Sequence, residues 1–194
     1  MGDPTSIGDY PGANDNYDLV PSGLIKLVKQ EFNAGLDHAG SDIGQPTRFF
    51  VGCALNLNPP DMAAELKNLR RKLKAGADFV LTQPIYNPDL VTRFYEAYEK
   101  EDGKLPIPLI AGLLPLASAR HAAFLQQEVP GIDIPDEVHR QMHDKSGSEG
   151  AHTGIRLTVE LVKEIKNQVQ GVYLMPAFGR YDYAAEIIEK IREI

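Results

Sequence analysis

Leu66-Lys67-Asn68-Leu69-Arg70-Arg71-Lys72, followed within a helical turn by Ala75-Gly76-Ala77-Asp78-Phe79-Val80-Leu81-Thr82-Gln83, decides the fold. Leu66, Leu69 and Leu73 recur at helical spacing, so the first part is a helix with one apolar stripe and a polar opposite face. Gly76 supplies a tight turn. Phe79-Val80-Leu81 then reads as a short buried strand that delivers an amide side chain, Gln83, at its carboxyl end. A helix feeding such a strand is the unit of parallel α/β folds, and in those folds ligands collect at the carboxyl ends of the strands.

The same alternation extends in both directions. Upstream, Pro21-Ser22 starts a helix that places Leu24, Leu27 and Val28 on one side and ends at Asn33-Ala34-Gly35. Thr47 to Leu55 is a near-continuous apolar run, which predicts a strand buried on both faces. Asp61 is placed to cap the helix that carries Met62, Leu66, Leu69 and Leu73. Downstream, residues 88–100 form a helix with Leu90, Phe94 and Ala97 inward, and Ile107 to Leu114 forms a strand bracketed by prolines. Helices follow over Ser118 to Gln127 and Pro135 to His143, then a polar break from Ser146 to Gly150, and a long helix over 151–169. Val172 to Met175 is the fourth strand, and Tyr183 to Ile194 closes the chain as a helix. Residues 1–20, with four aspartates and neither lysine nor arginine, read as a loop.

Composition narrows the function. The chain has 194 residues, 43% hydrophobic and 24% charged, enough for a sizeable core. A net charge of -7 and the lack of any basic block argue against nucleic acid as a partner. No apolar run approaches the roughly 20 residues of a spanning helix, and Met1-Gly2-Asp3-Pro4 is unlike a signal peptide, so a cytoplasmic setting is expected. The single Cys53 excludes an internal disulfide and reads as a small packed residue. His139 and His143 are four apart without an accompanying carboxylate or cysteine motif, and no metal site is expected. Neither Gly-x-Gly-x-x-Gly nor a P-loop is present.

Several residues have two readings. Asp3 is either a turn-capping carboxylate or a site carboxylate at a strand's carboxyl end. Asn68, Arg71 and Lys72 form either a solvated helix flank or, beside a diphosphate, a set of charge-assisted donors. Gln83 is either a satisfied structural amide or a group that reads substrate. Arg180 holds the equivalent place at the last strand, and Phe178 beside it could stack on a planar ligand.

Gly2-Asp3-Pro4, Gly52-Cys53-Ala54-Leu55-Asn56, Glu65 to Lys72, Ala75 to Phe79 with Thr82-Gln83-Pro84-Ile85-Tyr86, Gly112-Leu113-Leu114-Pro115-Leu116, Glu128-Val129-Pro130-Gly131 and Tyr173-Leu174-Met175-Pro176-Ala177-Phe178-Gly179-Arg180-Tyr181 together resemble methylenetetrahydrofolate reductase. The last of these is most similar to the form fused, in some bacteria, behind a homocysteine methyltransferase domain. The resemblance implies an α/β fold, a partial (β/α)8 TIM barrel. It also implies FAD as cofactor, NAD(P)H as hydride donor and 5,10-methylenetetrahydrofolate as substrate.

By the same resemblance, Asp3 is the catalytic carboxylate beside the flavin. Asp3, Ala54, Glu65, Asn68, Arg71 and Lys72 are the cofactor-binding positions, and Gln83, Phe178 and Arg180 the substrate-binding ones. Two departures stand out. The loop Asn56-Leu57-Asn58-Pro59-Pro60 lacks the Tyr and His that many members carry there for the flavin. Only four strands are counted, against eight in a barrel, so residues 1–194 resemble the C-terminal half of the reductase domain. A homo-oligomer, an N-terminal half or a fused methyltransferase domain are the expected partners. The alternatives are a non-catalytic fragment of the same barrel, and a barrel enzyme of pterin or phosphate chemistry without flavin.

Overall fold

The computed structural model describes residues 18–194. Asp3, and most of the loop expected over residues 1–20, lie outside them. The chain divides into two compact units, one comprising residues up to 53 together with 67–78, the other residues 54–66 together with 79–194.

In the first unit, α1 (Pro21–Lys26) runs into a wider π turn over Leu27–Glu31 and a 3-10 turn over Phe32–Ala34. Gly35 stops it with a left-handed backbone, φ 85°, as the Asn-Ala-Gly sequence predicts. Lys29 Nζ reaches across to Asp78, 2.9 and 2.8 Å from its two carboxylate oxygens. Asp78 also accepts the Val51 N–H at 2.7 Å, while its own N–H donates to the Val51 carbonyl. Burial pushes the Asp78 carboxyl up, but the Lys29 and Val51 hydrogen bonds and the lysine charge outweigh it, and the net shift is downward.

The apolar run at 47–55 is a strand only over β1 (Gly52–Leu55). Phe49 and Phe50 are 54% and 72% exposed, not buried on both faces. The Phe49 N–H and carbonyl are taken by the Asn33 amide and the Val51 N–H by Asp78, so side chains replace a strand ladder there. Cys53 is buried, as a packed residue should be.

The second unit holds the rest of the alternation: α2 (Met62–Ala75) begins in it, followed by β2 (Phe79–Pro84), α3 (Asp89–Asp102), β3 (Leu109–Leu113), α4 (Ala119–Glu128), α5 (Asp136–Met142), α6 (Gly147–Ile165), β4 (Gly171–Leu174) and α7 (Tyr181–Arg192). Asp61 caps α2 through the Ala64 N–H at 3.0 Å, as expected from its position. The sheet order is β1-β2-β3-β4, with β2–β3 and β3–β4 parallel. This is the sequential order of a (β/α)8 barrel's units. The 146–150 break is the cap and first turn of α6 rather than a linker.

Leu116, Ala122, Leu125, Ile132, Ile134 and Met142 form one core cluster, and Ile155, Val159 and Ile187 another. Gly150 and Gly154 bring α6 onto bare backbone. A Cβ at either would collide with the carbonyl oxygen of Ala117 or Leu116. No helix among the described residues is long and apolar enough to cross a membrane.

Candidate functional site

β2 and β3 run in register through Val80↔Leu109 and Leu81↔Ile110, but Pro84 pairs with Gly112, so one extra residue of β2 is accommodated between Leu81 and Pro84. Thr82 fills the gap in the ladder. Its buried hydroxyl accepts the Gly112 N–H at 2.9 Å and donates to the Gln83 carbonyl at 2.7 Å. From the next strand but one, the Tyr173 hydroxyl donates to the Thr82 carbonyl at 2.6 Å. Gly112 leaves room for this convergence, since a Cβ there would lie 2.8 Å from the Tyr173 hydroxyl and 2.9 Å from the Thr82 carbonyl.

The bulge turns Gln83 outward. Its side chain is exposed at the carboxyl end of β2 and makes no hydrogen bond to another described residue. A structural amide would have its partners within the protein, and the Gln83 side chain has none among the described residues.

Further round the sheet, a cleft of about 580 Å³ opens beyond the ends of β3 and β4, with Pro115, Ser118, Ser146, Phe178, Arg180 and Tyr183 among its walls. Phe178 is 79% exposed and sits in left-handed backbone, φ 55°, a conformation uncommon for a bulky residue. Its ring centroid is 5.3 Å from that of His121. Burial lowers the His121 pKa, and its Nδ1 accepts the Ala117 N–H at 3.2 Å, which holds the ring neutral.

Arg180 is engaged locally. Its Nε and Nη2 donate to the two carboxylate oxygens of Asp182 at 2.9 and 2.6 Å, and its guanidinium lies 3.8 Å from the Tyr183 ring centroid. The Asp182 hydrogen bond raises its pKa further. Arg180 therefore presents a pre-oriented cation that shares its charge with Asp182.

On α2, Glu65, Asn68 and Lys72 are half-buried and Arg71 is exposed. Glu65 accepts the Asn56 backbone N–H at 3.2 Å, which ties the loop after β1 to the helix. Neither the Asn68 amide nor the Arg71 guanidinium has a hydrogen bond or ion pair with another described residue. Asn68, Arg71 and Lys72 belong to the first unit, Gln83, Phe178 and Arg180 to the second. Ala54 is an exposed position of β1. Ser118, Ser146 and Tyr183 were not singled out by sequence reasoning. Ser118 had one visible signal, its position as the cap of α4, where it accepts the His121 N–H at 3.1 Å.

Fold and site together define a parallel α/β protein of the barrel class whose polar side chains gather at strand carboxyl ends. The profile of the methylenetetrahydrofolate reductase family matches residues 2–192, and the chain belongs to that family. Among its relatives, methylenetetrahydrofolate reductase 2 of Saccharomyces cerevisiae is 29% identical over 143 residues, covering 70% of this chain and 22% of the relative. A probable methylenetetrahydrofolate reductase (NADH) of Oryza sativa is 24% identical over 174 residues, 81% of this chain and 27% of the relative. The chain thus spans about a quarter of the length of these relatives. A solved structure, described as an uncharacterized Clostridium thermocellum protein that binds two copies of 5-methyl-5,6,7,8-tetrahydrofolic acid, superposes with a TM-score of 0.61 at 16% identity. It covers 90% of this chain and 59% of that one, and supports the fold.

Proposed function

We propose that residues 1–194 are the C-terminal half of a reductase domain that converts 5,10-methylenetetrahydrofolate to 5-methyltetrahydrofolate with FAD and NAD(P)H. The observation that carries this reading is the bulge at Thr82, which spends one side chain and one strand position to present the Gln83 amide at the carboxyl edge of the sheet. An amide offers a donor and an acceptor in one plane, which suits the lactam edge of a pterin. Phe178 offers an exposed ring face for a planar part of the ligand, and Arg180 a cation for a carboxylate or nucleotide phosphate.

FAD fits the donor set of α2. An amide at Asn68 and a guanidinium at Arg71, neither with a partner among the described residues, with Lys72 one residue on, are the groups a diphosphate requires. Ala54, Glu65 and Asp3 complete the cofactor positions in this proposal, with Asp3 the carboxylate that faces the cationic folate. The chemistry FAD supplies when bound is relay of a hydride. These residues bind, orient and neutralise charge around that relay.

The test uses the two half-reactions in a full-length protein that contains this domain. Gln83→Ala is expected to slow flavin oxidation by the folate far more than flavin reduction by NAD(P)H, since losing a reader leaves the pterin's polar edge unpaired. Equal losses in both, followed by stopped flow, would remove Gln83 from the folate site.

A further inference from the structure

Two amide side chains converge at the carboxyl ends of β1 and β2, and only one of them has a role so far. Asn56 follows β1 directly and Gln83 ends β2, both in the second unit. Their meeting point is Gly131, in the loop between α4 and α5. A Cβ at Gly131 would lie 2.7 Å from Asn56 Nδ2, 2.7 Å from Gln83 Oε1 and 3.1 Å from Asn56 Oδ1. Gly131 has φ +85°, so a side chain there is excluded by backbone conformation as well as by space.

Asn56 is fixed in place. Its Oδ1 accepts the Asn58 N–H at 2.9 Å and its backbone N–H donates to Glu65. Its Nδ2 makes no hydrogen bond to another described residue, and neither does the Gln83 amide. The Gly131 loop is fixed as well. Ile132 and Ile134 are buried, the Ile134 N–H donates to Gln126 Oε1 at 2.7 Å, and the Asp133 carboxylate accepts from the Asn87 amide at 3.1 Å. Three rigidly held segments therefore bring two amides with unspent donors beside one small gap.

We propose that Asn56 is a second substrate-binding residue, acting with Gln83 on the in-plane donor and acceptor edge of a fused lactam heterocycle, and that Gly131 is the positioning residue that leaves both amides room. The inference rests on the folate reading above and deepens it. Two amides fix both the position and the in-plane rotation of a flat ring, which a single amide leaves free to pivot.

The experiment titrates the purified chain with 5-methyltetrahydrofolate and, in parallel, with aminobenzoylglutamate, which lacks the heterocycle. Asn56→Asp keeps an acceptor for the Asn58 N–H and replaces the Nδ2 donor with a charged acceptor. It is expected to weaken folate binding about tenfold, the effect of one good hydrogen bond, with Tm and aminobenzoylglutamate affinity unchanged. Gly131→Ala is expected to weaken folate binding at least as much. Unchanged folate affinity in Asn56→Asp overturns the role of Asn56 and leaves the folate reading standing, as does an equal loss toward both ligands. A wild-type chain that binds no folate overturns both.

Discussion

The phenol of Tyr173 on β4 donates to the main-chain carbonyl of Thr82 on β2 at 2.6 Å, spanning β3 at the one point where Gly112 leaves no side chain in the way. The irregularity that exposes Gln83 is thus held from two strands away. Tyr173→Phe keeps the ring and removes the donor. It is expected to cost about 1–2 kcal/mol in a urea melt, and to weaken folate binding because the bulge loses its outer support.

A pH dependence follows from Asp78. Its carboxyl titrates below the ordinary carboxylate range in the folded chain, so its contribution is complete above that range and is lost as pH falls through the lowered value. Lys29→Met should cost roughly 1–3 kcal/mol at about pH 7 and less at an acidic pH below the lowered value of Asp78, where the carboxyl is protonated. Equal destabilisation at both pH values, read from denaturant melts, would contradict the pairing.

Arg71→Ala and Lys72→Ala are each expected to weaken FAD binding by about 1.5–3 kcal/mol, the range for hydrogen bonds to charged groups. Equilibrium dialysis measures it. Retained affinity in the double variant removes the diphosphate from this helix face.

β4 ends the sheet order, and its four residues are all only half-buried. Such an edge exposes a row of main-chain donors and acceptors. The expected outcome is a two-fold dimer of the 21.4 kDa chain in light scattering, weakened by a proline at Val172. A monomer across the concentration series counts against it.

The helices and strands were legible because their apolar spacing is regular, as in α2 and α6. The reading failed where apolar character and pairing part company. Phe49 and Phe50 look like strand core, but Asn33 and Asp78 claim the neighbouring main-chain groups, and no local pattern announces a partner sixteen or twenty-seven residues away. Gln83 was visible as a strand-end amide, yet its exposure depends on a bulge made by Thr82, Gly112 and Tyr173 together. Arg180 was seen as a cation, and its sharing with Asp182 two residues on was missed because it depends on the turn between them. Asn56 was read as part of a motif and a loop but given no role of its own, since only the folded loop brings it to Gly131.

The two glycines of α6 that rest on the Leu116 and Ala117 carbonyls act as a mechanical coupling. Leu116 and Ala117 line the cleft, and with no side chain as a cushion the helix and that loop have no slack between them. Any widening of the cleft on that side has to carry a 19-residue helix with it. Amide exchange at Ala117 and in the first turns of α6 should therefore show one shared opening rate, slow and cooperative, rather than the fast independent fluctuation of a surface loop.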